Sequence, residues 1–126
     1  MKTRERIRRR VLRGLALNRT PGFHFPGNFL DVAFDRIGRS GTRLSIAPGP
    51  WSADAEAQAD LASVAMLADL ACGASMRAHL TREARVATVS LSLQFTGAPR
   101  TGRITAAGEF QGFLREAAGR LGLTSV

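Results

Sequence analysis

The chain has little of the chemistry that crosslinks a fold or holds a metal. Its one cysteine, Cys72, excludes an internal disulfide and a multi-thiolate zinc site. Two histidines, His24 and His79, do not make up the shortfall, so no metal site is expected. Neither a phosphate-binding P-loop nor a dinucleotide glycine fingerprint occurs. Arg13 interrupts the one short apolar run near the start, so no secretory signal is expected. Acidic residues are scarce at that end. Residues 1–20 carry eight Lys/Arg against one Glu, whereas residues 21–126 carry ten Arg and nine Asp/Glu. The net charge of +8 is therefore a property of the tail, and the remainder is close to neutral. With 126 residues, 44% hydrophobic and 22% charged, the chain reads as one globular domain.

In the arginine-rich segment 1–20, Ile7, Val11, Leu12 and Leu15 form a stripe at helical spacing. We read it as a basic surface helix that docks this stripe on the body, residues 21–126. The alternative is a phosphate-binding arm, for nucleic acid or for a nucleotide-tailed cofactor; nucleic acid is not the expected partner. Residues 21–28, with their Pro-Gly breakers and His24, read as turns. Residues 29–37 and 42–47 read as two strands joined by a hairpin at Gly38-Arg39-Ser40-Gly41, and Pro48-Gly49-Pro50 stops the second. Trp51 beside Pro50 reads as a packed corner.

Residues 61–76 are the most apolar stretch, and Asp69 is their only charge. Alanine, leucine and methionine favour helix, with Asp60 as N-cap. Small or apolar residues on every side predict a helix wrapped by other structure. A membrane span would need about 20 apolar residues and no central carboxylate, so that reading is excluded. Residues 85–94 alternate, Val89, Leu91, Leu93 and Phe95 opposing Thr88, Ser90, Ser92 and Gln94, which predicts a half-buried antiparallel strand. Residues 97–102 read as a turn and 103–114 as a strand bent or bulged at Gly108 and Gly112. Residues 122–126 begin one more. The order predicts an α+β fold, a curved antiparallel sheet around one long helix.

Asp69 needs an explanation, because a charged carboxylate in an apolar helix costs several kcal/mol unless paired. Helical spacing sets Ala62, Ala65, Cys72 and Gly73 beside it, all small. The face is hollowed, as an approaching ligand would require; a structural aspartate satisfied by backbone or a partner strand fits the spacing equally well. Cys72 and His79 lie about 10 Å apart along the axis, too far for a nucleophile pair. Arg100 and Arg103 read as solvated turn arginines.

The segment Leu67-Ala68-Asp69-Leu70-Ala71-Cys72-Gly73-Ala74 resembles the Leu-Ala-Asp-x-Ala-x-Gly-x-Ala helix of hotdog-fold acyl-CoA thioesterases of the phenylacetate-pathway type. The run from Ala87 to Phe95 resembles the strand after that helix, and Ala98-Pro99 its closing turn. The resemblance covers roughly residues 29–115 and implies a hotdog domain over 21–126, its last strand incomplete. It further implies a cytoplasmic thioester hydrolase, dimeric or tetrameric, with active sites at the subunit interface. Coenzyme A would enter as part of the substrate, with no separate cofactor. By position, Asp69 matches the catalytic carboxylate, as general base or nucleophile. Thr88 matches a hydroxyl that reaches the site from the facing subunit. The backbone N–H of Leu61 or Ala62 would polarise the thioester carbonyl. The acyl group would lie near Ala65 and Gly73, and Arg100, Arg103 or the N-terminal arginines would meet the coenzyme phosphates.

Four positions depart from the family pattern. Its His-Gly-Gly is replaced by Asp60, Leu61 and Ala62, and its upstream Asn by Asp54. An Asp60 that caps the helix would set a negative charge against a developing oxyanion. These departures carry the alternative expectation of an acyl-CoA-binding or scaffold protein that keeps the fold without the chemistry.

Overall fold

The computed structural model describes residues 3–17, 25–116 and 119–126. Residues 18–20, the first part of the expected turn segment and His24 lie outside the described residues. Helix α1 (Thr3–Leu17) and the short helix α2 (Phe25–Phe29) precede strands β1 (Ala33–Gly38) and β2 (Gly41–Ile46). The long helix α3 (Leu61–Arg77) follows, and then strands β3 (Ile104–Glu116) and β4 (Gly119–Ser125). The four strands form one antiparallel sheet in sequence order. The molecule is thus α+β, with one long helix packed against an antiparallel sheet.

The β1–β2 hairpin closes at the paired Gly38 and Gly41 around Arg39-Ser40. Gly41, the residue after the two loop positions, has φ +130°, a conformation that residues with a Cβ avoid. The first strand starts later than the sequence predicts. Residues 25–29 turn as a helix instead, and Gly27 in it packs beneath Leu70.

Leu44 and Ile46 of β2 and Leu67 of α3 are fully buried, and Val32, Leu70, Ala71 and Ala106 complete the cluster. Burying side chains of this size contributes about 1.5–3 kcal/mol each. The close approach of α3 to the sheet depends on Gly108. A Cβ there would lie 2.5 Å from Ser75 Oγ and 2.6 Å from the carbonyl oxygen of Ala71. Gly108 therefore serves close packing, not the expected bulge. The bulge falls at Gly112, where the β3–β4 register shifts and φ is +142°.

Asp60 caps α3 as expected: Oδ1 accepts from the Ser63 amide at 2.7 Å and Oδ2 from the Ser63 hydroxyl at 2.9 Å. The expectation of a helix covered all round is corrected. Ser63, Leu67, Ala68, Leu70, Ala71 and Ser75 are buried, while Leu61 and Ala62 are exposed and Ala65, Asp69, Cys72 and Gly73 are half-buried. The sheet covers one face of α3 and leaves the other open.

Two further expectations are corrected. Residues 85–94 pair with no strand among the described residues, and both of their faces are largely exposed, Val89 at 83%. Period-two alternation sets an extended conformation with two unlike faces, but a strand also needs a hydrogen-bonding neighbour. The apolar stripe of α1 is not docked either: Ile7, Leu12 and Leu15 are exposed. The helix meets the body through Gly14, which lies under the Phe25 ring, and through Arg10. No helix among the described residues is long and apolar enough to cross a membrane.

Candidate active site around Asp69

Helix α3 presents Asp69 on its open face, half-buried. Thr88 Oγ1 donates a hydrogen bond of 2.7 Å to Asp69 Oδ1. The second oxygen, Oδ2, has no protein partner among the described residues and is not among the buried unpartnered atoms, so it faces solvent. The environment is hollow on one side. A Cβ built on Gly73, one turn beyond, would meet nothing within 4 Å. Asp69, Thr88 and Gly73 therefore make an open carboxylate site with one oxygen held and one free. The cavities beside α1 are elsewhere and do not include Asp69.

The threonine reaches Asp69 from the same chain, not from a facing subunit. Two arginines fix the ends of the segment that carries it. Arg77, in the last turn of α3, donates from Nη1 to the Thr81 carbonyl at 3.0 Å and to that of Ala84, and from Nη2 to that of Arg82. A cation at a helix C-terminus is favoured by the dipole, and this guanidinium also gathers the turn that follows. At the far end, the Arg100 amide donates to Gln58 Oε1 at 2.9 Å, its Nε to the Ala59 carbonyl at 2.7 Å, and its Nη2 to Asp54 Oδ2 at 3.1 Å. Asp54 Oδ1 meanwhile accepts from the amides of Glu56 and Gln58. The reading of Arg100 as a solvated turn residue is thus corrected: it clamps the segment to the loop that enters α3.

The remaining candidates are spread out. Ala65 and Gly73 share the open face with Asp69. Arg103 donates from Nη1 to Ser45 Oγ at 3.1 Å, on β2. Leu61 and Ala62 begin α3, and their amides meet no backbone acceptor outside the helix among the described residues. Eight residues at 1.5 Å each put Leu61 about 12 Å from Asp69 along the axis. A donor must lie about 3 Å from the oxyanion it stabilises. Along one chain the two groups therefore lie several hydrogen-bond lengths apart. His79 stacks on Phe110 with ring centroids 4.3 Å apart, which gives it a packing role, and Cys72 is a free, half-buried thiol. Trp51 is a packed corner as expected, edge-on to Phe29.

Sequence reasoning missed Arg77 and the Asp54–Gln58–Arg100 clamp. A basic residue in the last turn of α3 was a signal for the first; no short-range spacing signals a contact across 46 residues. Comparison with protein-family models, with curated proteins and with solved structures finds no match.

Proposed function

We propose that the protein is a hotdog-fold acyl-CoA thioesterase that acts as a dimer, with Asp69 as general base or nucleophile. The observation that carries this reading is the state of the Asp69 carboxylate, one oxygen oriented by Thr88 and the other open beside the hollow at Gly73. As a base, the free oxygen takes a proton from water while the water oxygen attacks the thioester carbon. The tetrahedral oxyanion collapses, the C–S bond breaks, and the departing thiolate receives the proton held by Asp69. As a nucleophile, Asp69 attacks the thioester carbon and expels the thiolate as the C–S bond breaks. Water then cleaves the acyl anhydride to the free acid and the Asp69 carboxylate, and its proton goes to the thiolate. Thr88 positions the carboxylate in both routes. The acyl chain would lie along Ala65 and Gly73, with Arg103 and the N-terminal arginines available to the coenzyme phosphates. Arg100 is already committed to Asp54 and Ala59, which argues against it as a phosphate ligand.

The 12 Å separation supports the dimer. A site that joins Asp69 to the amides of Leu61 and Ala62 takes the helix start from a second copy. The exposed apolar side chains Val89, Leu91 and Phe95 lie beside Thr88 in sequence and supply a surface for that copy to cover.

Thiol release from a panel of acyl-CoAs tests the reading. We expect turnover of at least one thioester and a loss of about 10²-fold or more in Asp69→Asn. Equal turnover by both proteins removes Asp69 from the mechanism. A second reading, a binding protein without hydrolysis, is favoured by one specific contact: Asp60 places its carboxylate on the first turn of α3. Saturable acyl-CoA binding with no thiol release selects it.

A further inference from the structure

Arg6, Arg9, Arg10 and Arg13 fall at helical offsets of three, four and seven, on one face of α1. That face turns toward Trp51, and the four guanidinium side chains with the indole line an open cavity of about 280 Å³. No carboxylate lines it. A second cavity of about 270 Å³ adjoins it, sharing Arg6, Arg10 and Trp51 but lined also by the Asp31 carboxylate.

Like charges at this spacing repel, and the arrangement leaves Ile7, Leu12 and Leu15 in water while arginines are drawn together. Two carboxylates offset part of the charge. Glu5 Oε1 accepts from Arg9 at 3.2 Å, and Asp31 holds Arg10, with Arg13 at 3.8 Å. Arg6 has no ion pair among the described residues. Arg10 is fixed in place: its Nε donates to the Phe29 carbonyl, and its guanidinium lies 5.5 Å from the ring centres of both Phe29 and Trp51. An anchored guanidinium flanked by less constrained ones is preorganised for an anion with several oxygens.

We propose that the arginine face of α1 and Trp51 form a binding site for a small molecule that carries a diphosphate group. Four guanidinium groups around one cavity without a carboxylate match the charge of two linked phosphates better than that of one. The proposal does not depend on hydrolysis at Asp69. The shared chemistry is the diphosphate, and its source is either the free anion or a nucleotide.

Calorimetric titration of the full chain with pyrophosphate, ADP, adenosine and a single-stranded oligonucleotide tests it. We expect saturable binding of pyrophosphate and ADP, with adenosine silent. Arg6→Gln and Arg13→Gln should each weaken binding by about tenfold or more. Arg8→Gln, on another face of the helix, should leave it unchanged. Equal affinity for pyrophosphate and ADP identifies the free anion as sufficient; tighter ADP binding assigns the source to a nucleotide. Adenosine binding as tightly as ADP overturns the proposal. So does binding of the oligonucleotide alone with a steep salt dependence and equal sensitivity to Arg8→Gln, which marks a nucleic-acid arm. Absence of saturable binding by either diphosphate also overturns it.

Discussion

Asp69 and Thr88 owe their meeting to opposite local environments. Asp69 lies on a rigid helix whose inner face is packed, while Thr88 lies on an exposed extended segment held at its ends. The hydroxyl contributes one hydrogen bond to a charged acceptor, about 1.5–3 kcal/mol when well formed. Thr88→Val keeps the shape and removes the bond. We expect thioester turnover to fall by about tenfold and the thermal midpoint to drop by several degrees, measured by thiol release and by calorimetry. Unchanged turnover would reduce Thr88 to a surface contact. Gly108 raises a different question at the same scale, because the atoms its Cβ would meet include the backbone of Ala71. Gly108→Ala must push α3 off the sheet, and we expect a loss of about 1–3 kcal/mol in denaturant unfolding. A loss near zero would mean that α3 shifts without cost.

Among the elements, α3 was legible almost to the residue. Its composition, its Asp60 cap and its length all agree with Leu61–Arg77. What its sequence did not disclose is that one face stays open, because small residues fit a covered face and a hollow one alike. The segment 85–95 shows the converse. Alternation identified its two faces, but the pairing that makes a strand depends on a neighbour that no residue within the segment specifies. In the proposed dimer, a second copy that covers this segment would supply backbone partners. Amide hydrogen exchange of residues 85–95 should then slow as protein concentration rises and quicken on dilution. Fast exchange at every concentration would leave the segment uncovered and the dimer without this surface. The α1 helix was legible as an element but not as a contact. Its apolar stripe pointed to docking, whereas Gly14, small enough to sit under Phe25, and the anchored Arg10 decide which face turns inward.

Across the whole molecule, the antiparallel sheet with one long helix followed from element order and turn chemistry, and Asp69 stood out as a charge in an apolar run. The long-range clamps at Arg77 and Arg100 did not, since each is fixed by a chain path already folded. In the proposed dimer a complete site joins Asp69 of one copy to the α3 start of another. Leu61→Pro removes one amide donor at the first helical position, where proline is tolerated. Asp60 already has the extended φ of −67° and ψ of 153° that a following proline requires. Leu61→Pro and Asp69→Asn should each lose about 10²-fold in thiol release when assayed alone. After subunit exchange in an equal mixture, half of the dimers are mixed and each holds one intact site. Turnover should then recover to about a quarter of the wild-type value. No recovery on mixing, or full activity in Leu61→Pro alone, contradicts the shared site.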